Sequence, residues 1–342
     1  YSAYLEMGRL LFMKIIISCF VFLASMSQII AQNGLITPNG RISIPTGNEK
    51  WDYMAVYNKQ LFVSHGDRVH VLRLPDGQQL AEFDSLNGVH GIAIAAPFGT
   101  GYITNGIRNE ITIFKLADFS VVKTITIPGK KADAILYDAF SKRVFVFNNG
   151  SGNAVVIDPA KNQVIGQIEM GGAPEFAATN LKGSIFNNNE ESNEVIEIDA
   201  NTLKIRNRFS LAPNEVLTGL AIDIKNNRLF SVARKTQTLV VLNASTGKII
   251  QTLPIGAGVD GVVYDAKKQV VVTSNGEGTA TVVKQITADR YEVVQTLTTT
   301  KGQKTIALDK QSHHLFFSGA SYQSDGKSIA VGTFGVSVFQ IH

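Results

Sequence analysis

The stretch GYITNGIRNEITIF, residues 101–114, decides the fold. It begins with apolar residues that end at Asn105, passes through a turn that contains glycine, and leaves as the alternating segment EITIF. Alternation of apolar and polar residues over five or more positions is typical of a half-buried strand, so the stretch predicts a β-hairpin. We expect Asn105 to end the first strand and to take the left-handed backbone conformation that asparagine tolerates in turns.

The same pattern returns about every 42 residues. A short apolar strand starts at residues 53, 91, 133, 175, 219, 261 and 305, in steps of 38, 42, 42, 44, 42 and 44 residues. A second strand, a polar turn and an alternating third strand follow each start, and several copies carry a fourth strand. Four antiparallel strands in each of seven repeats predict an all-β fold, a seven-bladed β-propeller.

The two ends of the repeat array predict how the ring closes. The seventh copy has three strands, the last within residues 334–342. The segment Arg41–Ile44 matches the fourth-strand pattern of the other copies. We therefore expect this N-terminal strand to complete the last blade, which removes an open sheet edge that would otherwise favour aggregation.

The composition is that of a folded globular protein. Of the 342 residues, 44% are apolar and 18% are charged, and the formal net charge is +4. This balance excludes a disordered chain, and it permits anionic partners without requiring them. Residues 32–342 are predicted to form one propeller domain, because closed all-β architectures remain single domains at this length.

The first residues have the pattern of a targeting segment. Met13 and a lysine precede an apolar run of 11 residues, 15–25, which is too short to span a bilayer. Residues 1–31 are interpreted as upstream residues plus a signal peptide cleaved after Ala31, and an uncleaved membrane anchor is the alternative. The only cysteine, Cys19, lies in this run, so the mature chain is expected to lack disulfides and thiolate metal sites. The protein is expected to be periplasmic or secreted, with no transmembrane segment in its mature part.

The motif YITN at residues 102–105, with the strands that follow it, resembles the repeats of the YVTN-repeat, YncE-like β-propellers. The resemblance covers roughly residues 40–342, and copies four and seven depart most from the repeat; copy seven carries an insertion within residues 318–334. The resemblance implies the fold but no single activity. Members include exported proteins and one reported to bind DNA, and more distant seven-bladed relatives include lactonases and subunits of amine dehydrogenases.

A ligand site is predicted on one face of the propeller. The loops between blades and the turns between second and third strands lie on the same face, and the first residues of the inner strands lie nearest the axis. The ligand-binding candidates on this face are Asp52, His65, His90, Asp133, Glu175, Arg234, Asp260 and Lys304. His65 and His90 belong to adjacent blades, so one hypothesis is that they meet at the rim; the alternative is that they are hydrogen-bonded surface groups.

The sequence favours a binding or scaffold module that holds a small ligand, a glycan or a protein and has no chemistry of its own. One alternative is a lactonase-like hydrolase, in which His90, Asp133, Glu175 and Arg234 surround the axial mouth. No catalytic residue and no cofactor are assigned. His65 and His90, with Asp133 or Glu175, would offer nitrogen and oxygen ligands to a metal, but no metal site is assigned either.

A second alternative is nucleic-acid binding. Its candidates are Trp51, Lys131, Arg234 and Lys304. Acidic residues alternate with basic ones on the same face, whereas a nucleic-acid interface is expected to carry a basic stripe with aromatic residues between the charges. Trp51 is therefore also interpreted as a packing residue at the join between the closing strand and the first blade. The chain is expected to be a monomer.

Overall fold

The computed structural model describes residues 34–44 and 46–342. The predictions made for residues 1–31, including the signal peptide and Cys19, lie outside the described residues. Within the described ranges the chain forms 28 β-strands and one three-residue 3-10 helix, Ala96–Phe98. No helix of this part of the chain is long and apolar enough to cross a membrane.

The strands form seven separate four-stranded antiparallel sheets, as the repeat predicted. The innermost strands of blades 1 to 7 are Trp51–Tyr57 (β2), Val89–Ala95 (β6), Ala132–Asp138 (β10), Pro174–Thr179 (β14), Leu217–Asp223 (β18), Val259–Asp265 (β22) and Ile306–Asp309 (β26). The second strands are Gln60–His65 (β3), Thr100–Asn105 (β7), Arg143–Asn148 (β11), Ser184–Asn189 (β15), Arg228–Ala233 (β19), Val270–Asn275 (β23) and His314–Gly319 (β27).

The outer two strands of each blade complete the sheets. The third strands are Arg68–Arg73 (β4), Glu110–Lys115 (β8), Asn153–Asp158 (β12), Glu194–Asp199 (β16), Thr238–Asn243 (β20), Thr279–Thr287 (β24) and Gly335–Ile341 (β28). The outermost strands are Gln79–Phe83 (β5), Val121–Thr126 (β9), Gln163–Glu169 (β13), Ile205–Ser210 (β17), Ile249–Pro254 (β21), Arg290–Thr298 (β25) and, in blade 7, Ile36–Ser43 (β1). The prediction of a seven-bladed all-β propeller is confirmed.

The closing strand β1 pairs antiparallel with β28. Ile36 lies opposite Ile341, and Arg41 lies opposite Ser337. The paired segment extends further toward the N-terminus than the predicted Arg41–Ile44. The inner strands contact one another in ring order, and β2 of blade 1 contacts β26 of blade 7, so the ring is closed at the axis as well.

The turn after Asn105 differs from the prediction in one detail. Asn105 ends strand β7 as expected, but it keeps a strand conformation, and the left-handed residue is Asn109 with φ of 54°. The Asn105 side chain is buried and its amide donates to Thr112 Oγ1 at 2.9 Å. The asparagine therefore ties the second strand to the third inside the sheet, because a buried amide needs a partner.

The apolar core lies between the blades and not inside any one of them. Each cluster of buried residues draws side chains from two neighbouring sheets; Phe62 of blade 1, for example, packs 5.8 Å from Phe114 of blade 2. A single four-stranded sheet cannot bury both of its faces, so the blades stabilise one another. This stacking fixes the inner strands as a rigid ring around the axis.

Candidate functional site

A repeated β-bulge turns one side chain of each of blades 1 to 6 toward the axis. In blades 1 to 6 the register between the innermost strand and its neighbour shifts by one residue near the start of the inner strand. A bulge re-aims the side chain at the extra residue, and such bulges are common beside functional sites. The second residues of these strands, together with Lys304 just before β26, form what we call the axial cup: Asp52, His90, Asp133, Glu175, Thr218, Asp260 and Lys304.

One side of the axial cup holds an imidazole between two carboxylates. His90 Nδ1 lies 2.6 Å from Asp52 Oδ2 and 3.7 Å from Asp133 Oδ1. One donor atom from each of the three residues lies within 4.8 Å of the other two. Burial alone would lower the pKa of His90, but its hydrogen bond with Asp52 and the charge of Asp133 outweigh that effect and raise the pKa. The two carboxylates therefore stabilise the protonated form of the imidazole.

The next wall carries two buried carboxyl groups, Asp133 and Glu175, neither of which accepts a hydrogen bond from a cationic side chain of the described residues. Glu175 is 8% exposed and accepts one hydrogen bond, from the Asn149 amide at 2.8 Å. Burial raises the pKa of Glu175 far above its usual range, and the negative charges of Asp133 and Asp260 add to the effect. Burial likewise raises the pKa of Asp133. Both groups therefore have an unfavourable charged form unless a positive charge is placed beside them.

The opposite wall is an ion-paired network. The buried carboxylate of Asp260 contacts the Arg234 guanidinium and accepts a hydrogen bond from Lys304 Nζ at 2.7 Å. Arg234 also lies 3.4 Å from Glu190. Burial would lower the pKa of the Lys304 ammonium, but the negative charges of Asp260 and Asp52, together with the hydrogen bond to Asp260, outweigh that effect and raise the pKa. Arg234, at the edge of the cup, and Lys304, within it, are thus both paired with Asp260.

Two aromatic rings close the cup from below. Tyr53 of blade 1 and Phe176 of blade 4 meet with their ring centroids 4.5 Å apart, although these blades are not neighbours in the ring. The contact therefore crosses the axis. Both rings follow a cup residue directly, at a position where the other blades carry glycine, alanine or threonine. At Gly91 a Cβ would lie 2.8 Å from the Asp133 carbonyl oxygen, which explains the small residue there.

Below the aromatic pair the lining of the central channel changes from polar to apolar. A cavity of about 420 Å³ opens toward the opposite face and is lined mainly by aliphatic residues of the inner strands, among them Met54, Leu136 and Val263. Burial, and then the charges of Asp133 and Glu175, raises the pKa of Tyr53, which lies at the border between the two halves. The polar site is thus confined to the loop face.

The cup continues sideways into a cleft of about 550 Å³ between blades 7 and 1. Asp52, His90 and Lys304 belong to both spaces, and Trp51 and Tyr322 form further walls of the cleft. Tyr322 belongs to the blade 7 insertion noted in the sequence, where it forms an isolated β-bridge with Ile329. The insertion therefore contributes a wall to the candidate site.

The structure does not bring His65 beside His90. His65 is 1% exposed, stacks on Phe334 with centroids 3.9 Å apart, and contacts the Glu49 carbonyl oxygen at 3.1 Å. Burial lowers the pKa of His65 to about 4. The hypothesis that His65 and His90 meet at the rim is therefore corrected: desolvation and stacking hold His65, as a neutral ring, in the seam between blades 7 and 1.

The nucleic-acid candidates are also placed. Trp51 is 7% exposed and packs against Phe334 in the same seam, with centroids 5.6 Å apart. Lys131 is exposed; its Nζ donates to Asn149 Oδ1 at 2.8 Å and lies 4.0 Å from Asp133 Oδ2. Seven of the residues predicted from the sequence lie in or beside the axial cup: Asp52, His90, Asp133, Glu175, Arg234, Asp260 and Lys304. Asn149, Tyr53 and Phe176 were not predicted.

Comparisons with known proteins agree on the fold and are silent on the activity. A chain in the "Crystal Structure of Mitotic Checkpoint Complex" is similar, with a TM-score of 0.73 and 13% identity over 90% of this chain and 92% of that one. The WD40 β-propeller domain of Doa1 is similar, with a TM-score of 0.71 and 10% identity over 90% of this chain and 97% of that one. A chain of the Kuenenia stuttgartiensis hydrazine synthase gives a TM-score of 0.69 and 13% identity, covering 80% and 92%.

At these identities the structural likeness shows the fold alone. No curated protein matches the sequence. A family model described as "Domain of unknown function (DUF5074)" matches residues 48–219, which is half of the chain and comprises blades 1 to 4 with the start of blade 5. The chain therefore belongs to the DUF5074 family.

Proposed function

We propose that this propeller is a binding module that holds a small ligand in the axial cup, and that the bound part of the ligand is positively charged or rich in hydrogen-bond donors. A β-propeller commonly serves as a binding scaffold, and this one gathers polar side chains around the axis of its loop face, beside a cleft of about 550 Å³. The observation that carries the proposal is that Asp133 and Glu175 are buried carboxyl groups of the cup, and that neither accepts a hydrogen bond from a cationic side chain of the described residues.

The charge inventory supports this ligand class. Arg234 and Lys304 are both paired with Asp260, and Arg234 also lies beside Glu190, so these two cations are already partly neutralised and attract an anionic ligand less. A buried carboxylate gains most from a new charge-assisted hydrogen bond, because its desolvation is already complete. The aromatic floor formed by Tyr53 and Phe176 adds flat apolar surface beneath the charges, which suits a cationic group.

The test is a thermal-shift screen with primary amines, amino acids, quaternary ammonium compounds and neutral sugars, in the presence of EDTA. We expect a cationic compound to raise the Tm of the wild-type chain and to raise that of Asp133→Asn much less. Asp76→Asn is the matched control, because Asp76 is an exposed carboxylate that lies 2.5 Å from Arg73 at the opposite face. Equal shifts in all three proteins, or no shift with any cationic compound, would contradict the proposal.

A hydrolase is the second candidate, and a specific arrangement favours it. Asp52 holds His90 at 2.6 Å, the geometry of an oriented base, and the raised pKa of Glu175 keeps a proton that a general acid would donate. Turnover of simple lactones that is lost in His90→Gln but kept in Asp76→Asn would support this candidate. Nucleic-acid binding lacks comparable support, since Arg234 and Lys304 are engaged with Asp260 and Trp51 is buried.

We also propose that the mature chain acts outside the cytoplasm, in the periplasm or after secretion, and that it is a monomer. The apolar run at residues 15–25 supports export. The YITN motif supports a relation to the YVTN-repeat propellers in addition to DUF5074 membership. Mass spectrometry of the protein recovered from its native host tests export directly, through the residue at which the mature chain begins.

A further inference from the structure

We propose that Asp52, His90 and Asp133 form a site for one first-row divalent cation of the Zn²⁺ type at the wall of the axial cup. The three residues come from the inner strands of blades 1, 2 and 3, so the site is assembled by blade stacking and not by one loop. The inference rests on the proposed function in one respect, namely that the cup is open to ligands.

The donor geometry is close to that of a metal site. Ligand atoms about 2.1 Å from a zinc ion lie about 3.0 to 3.4 Å from one another in octahedral or tetrahedral arrangements. The corresponding separations here are 2.6 Å between His90 and Asp52 and 3.7 Å between His90 and Asp133. The third separation, between the carboxylate oxygens of Asp52 and Asp133, is at most 4.8 Å. Movements of about 1 Å in each side chain would bring the three atoms to ligand distances. The metal would replace the proton that His90 Nδ1 shares with Asp52.

A second observation points to a missing partner. Asp133 is 6% exposed, yet its carboxylate accepts no hydrogen bond from any residue in the described part of the chain. Its nearest positive groups are His90 at 3.7 Å and Lys131 at 4.0 Å, both beyond hydrogen-bond range. Buried carboxylates are nearly always hydrogen-bonded, paired or bound to a metal. Asp133 has only these two long ion-pair contacts and no hydrogen bond, so its carboxylate has room for a closer partner beside His90.

The donor set selects the class of metal. An imidazole nitrogen disfavours Mg²⁺ and Ca²⁺, which prefer oxygen ligands throughout, and two carboxylates disfavour Cu(I), which prefers thiolates and thioethers. Three protein ligands also leave at least one position of the ion open toward the cup. A small ligand with a lone pair would then bind the ion directly, while its donor groups contact Glu175 and the Asp260 network.

The experiment uses untagged protein, freed of metal with EDTA and dialysed. Zn²⁺ alone is titrated by calorimetry and in competition with a chromophoric chelator, and Co²⁺ replaces it as a spectroscopic probe. The variants are His90→Gln and Asp133→Asn. The matched control is His313→Gln, because His313 also lies against a carboxylate, Asp265 at 2.5 Å, but belongs to no three-donor group among the described residues.

We expect one equivalent of Zn²⁺ in the wild type, with affinity lowered at least about 100-fold in both cup variants and unchanged in His313→Gln. The wild-type Co²⁺ spectrum should show the visible bands of a low-coordinate site with a nitrogen ligand; this readout does not depend on how any variant folds. The absence of Zn²⁺ binding by the wild type would overturn the proposal, as would affinity retained in His90→Gln. Because the amine screen is run in EDTA, either proposal can fail without the other.

Discussion

Replacing Ile36 with alanine tests whether the N-terminal strand holds the ring closed. Ile36 is 1% exposed and lies in strand β1, opposite Ile341 of the last blade. Its side chain packs into the cluster shared by blades 6 and 7, which includes Leu297 and Phe339. The substitution leaves the backbone pairing of β1 and β28 in place, so it isolates the contribution of side-chain burial to closure.

The size of the effect follows from the burial. Changing isoleucine to alanine removes three carbon groups, which at about 0.8 kcal/mol each amount to about 2.4 kcal/mol of transfer free energy. The cavity left behind adds to this, so we expect the free energy of unfolding to fall by about 3 kcal/mol. For a domain of this length the unfolding entropy converts that loss into a decrease of about 5 °C in Tm.

The assay is urea unfolding followed by two probes. Fluorescence of Trp51, the single tryptophan, reports on the closure seam, and far-UV circular dichroism reports on the whole sheet structure. The control is Ile107→Ala, because the Ile107 side chain is 74% exposed and its loss should change stability by less than about 0.5 kcal/mol. If Ile36→Ala is no less stable than Ile107→Ala, the argument that β1 locks the ring is wrong.

Three further outcomes are expected. The unfolded chain binds a proton at His65 near pH 6.5, but the folded chain does so only near pH 4, so the stability of the wild type should fall as pH drops through this window. Urea titrations at pH 7 and 4.5 should show a smaller fall in His65→Gln. Burial raises the pKa of Glu175 in the folded chain, so the wild type loses stability as pH rises above about 4.5. Between pH 5 and pH 8, Glu175→Gln should therefore gain stability relative to the wild type. A stability difference between the two proteins that does not change with pH would contradict the assigned burial. Tyr53→Ala should lower the free energy of unfolding by about 2 kcal/mol through loss of the ring pair with Phe176, whereas Tyr53→Phe, which keeps the ring, should lower it by less than about 1 kcal/mol in the same assay.

The repeat made the architecture predictable from the sequence. Seven copies with a three-stranded last member required a closing strand, and the segment around Arg41 was identified because its pattern matched the fourth strands elsewhere. The conformation of single turn residues was less accessible. Asn105 and Asn109 flank the same turn, and the sequence alone does not decide which of them adopts positive φ, because that depends on how many residues the hairpin loop contains.

The candidate site was predictable as a ring of positions but not as a set of contacts. The second residues of the inner strands were singled out from topology, whereas the β-bulge that aims them inward leaves no mark in the residue pattern. His65 was misplaced because the insertion in blade 7 positions Phe334 against it, a contact between residues far apart in sequence. Tyr53 and Phe176 did carry a signal, since aligned copies have small residues at their position.

The contact of Tyr53 with Phe176 across the axis leaves the axial cup with a single entrance. Because Tyr53 and Phe176 meet across the axis, we expect a ligand of the acidic half to enter and leave through the loop face, past the blade 7 insertion. A macromolecule bound over the loop face would therefore control both the binding and the release of the ligand. The apolar cavity at the opposite face is then available for attachment to another surface, because binding there would not obstruct ligand entry at the loop face.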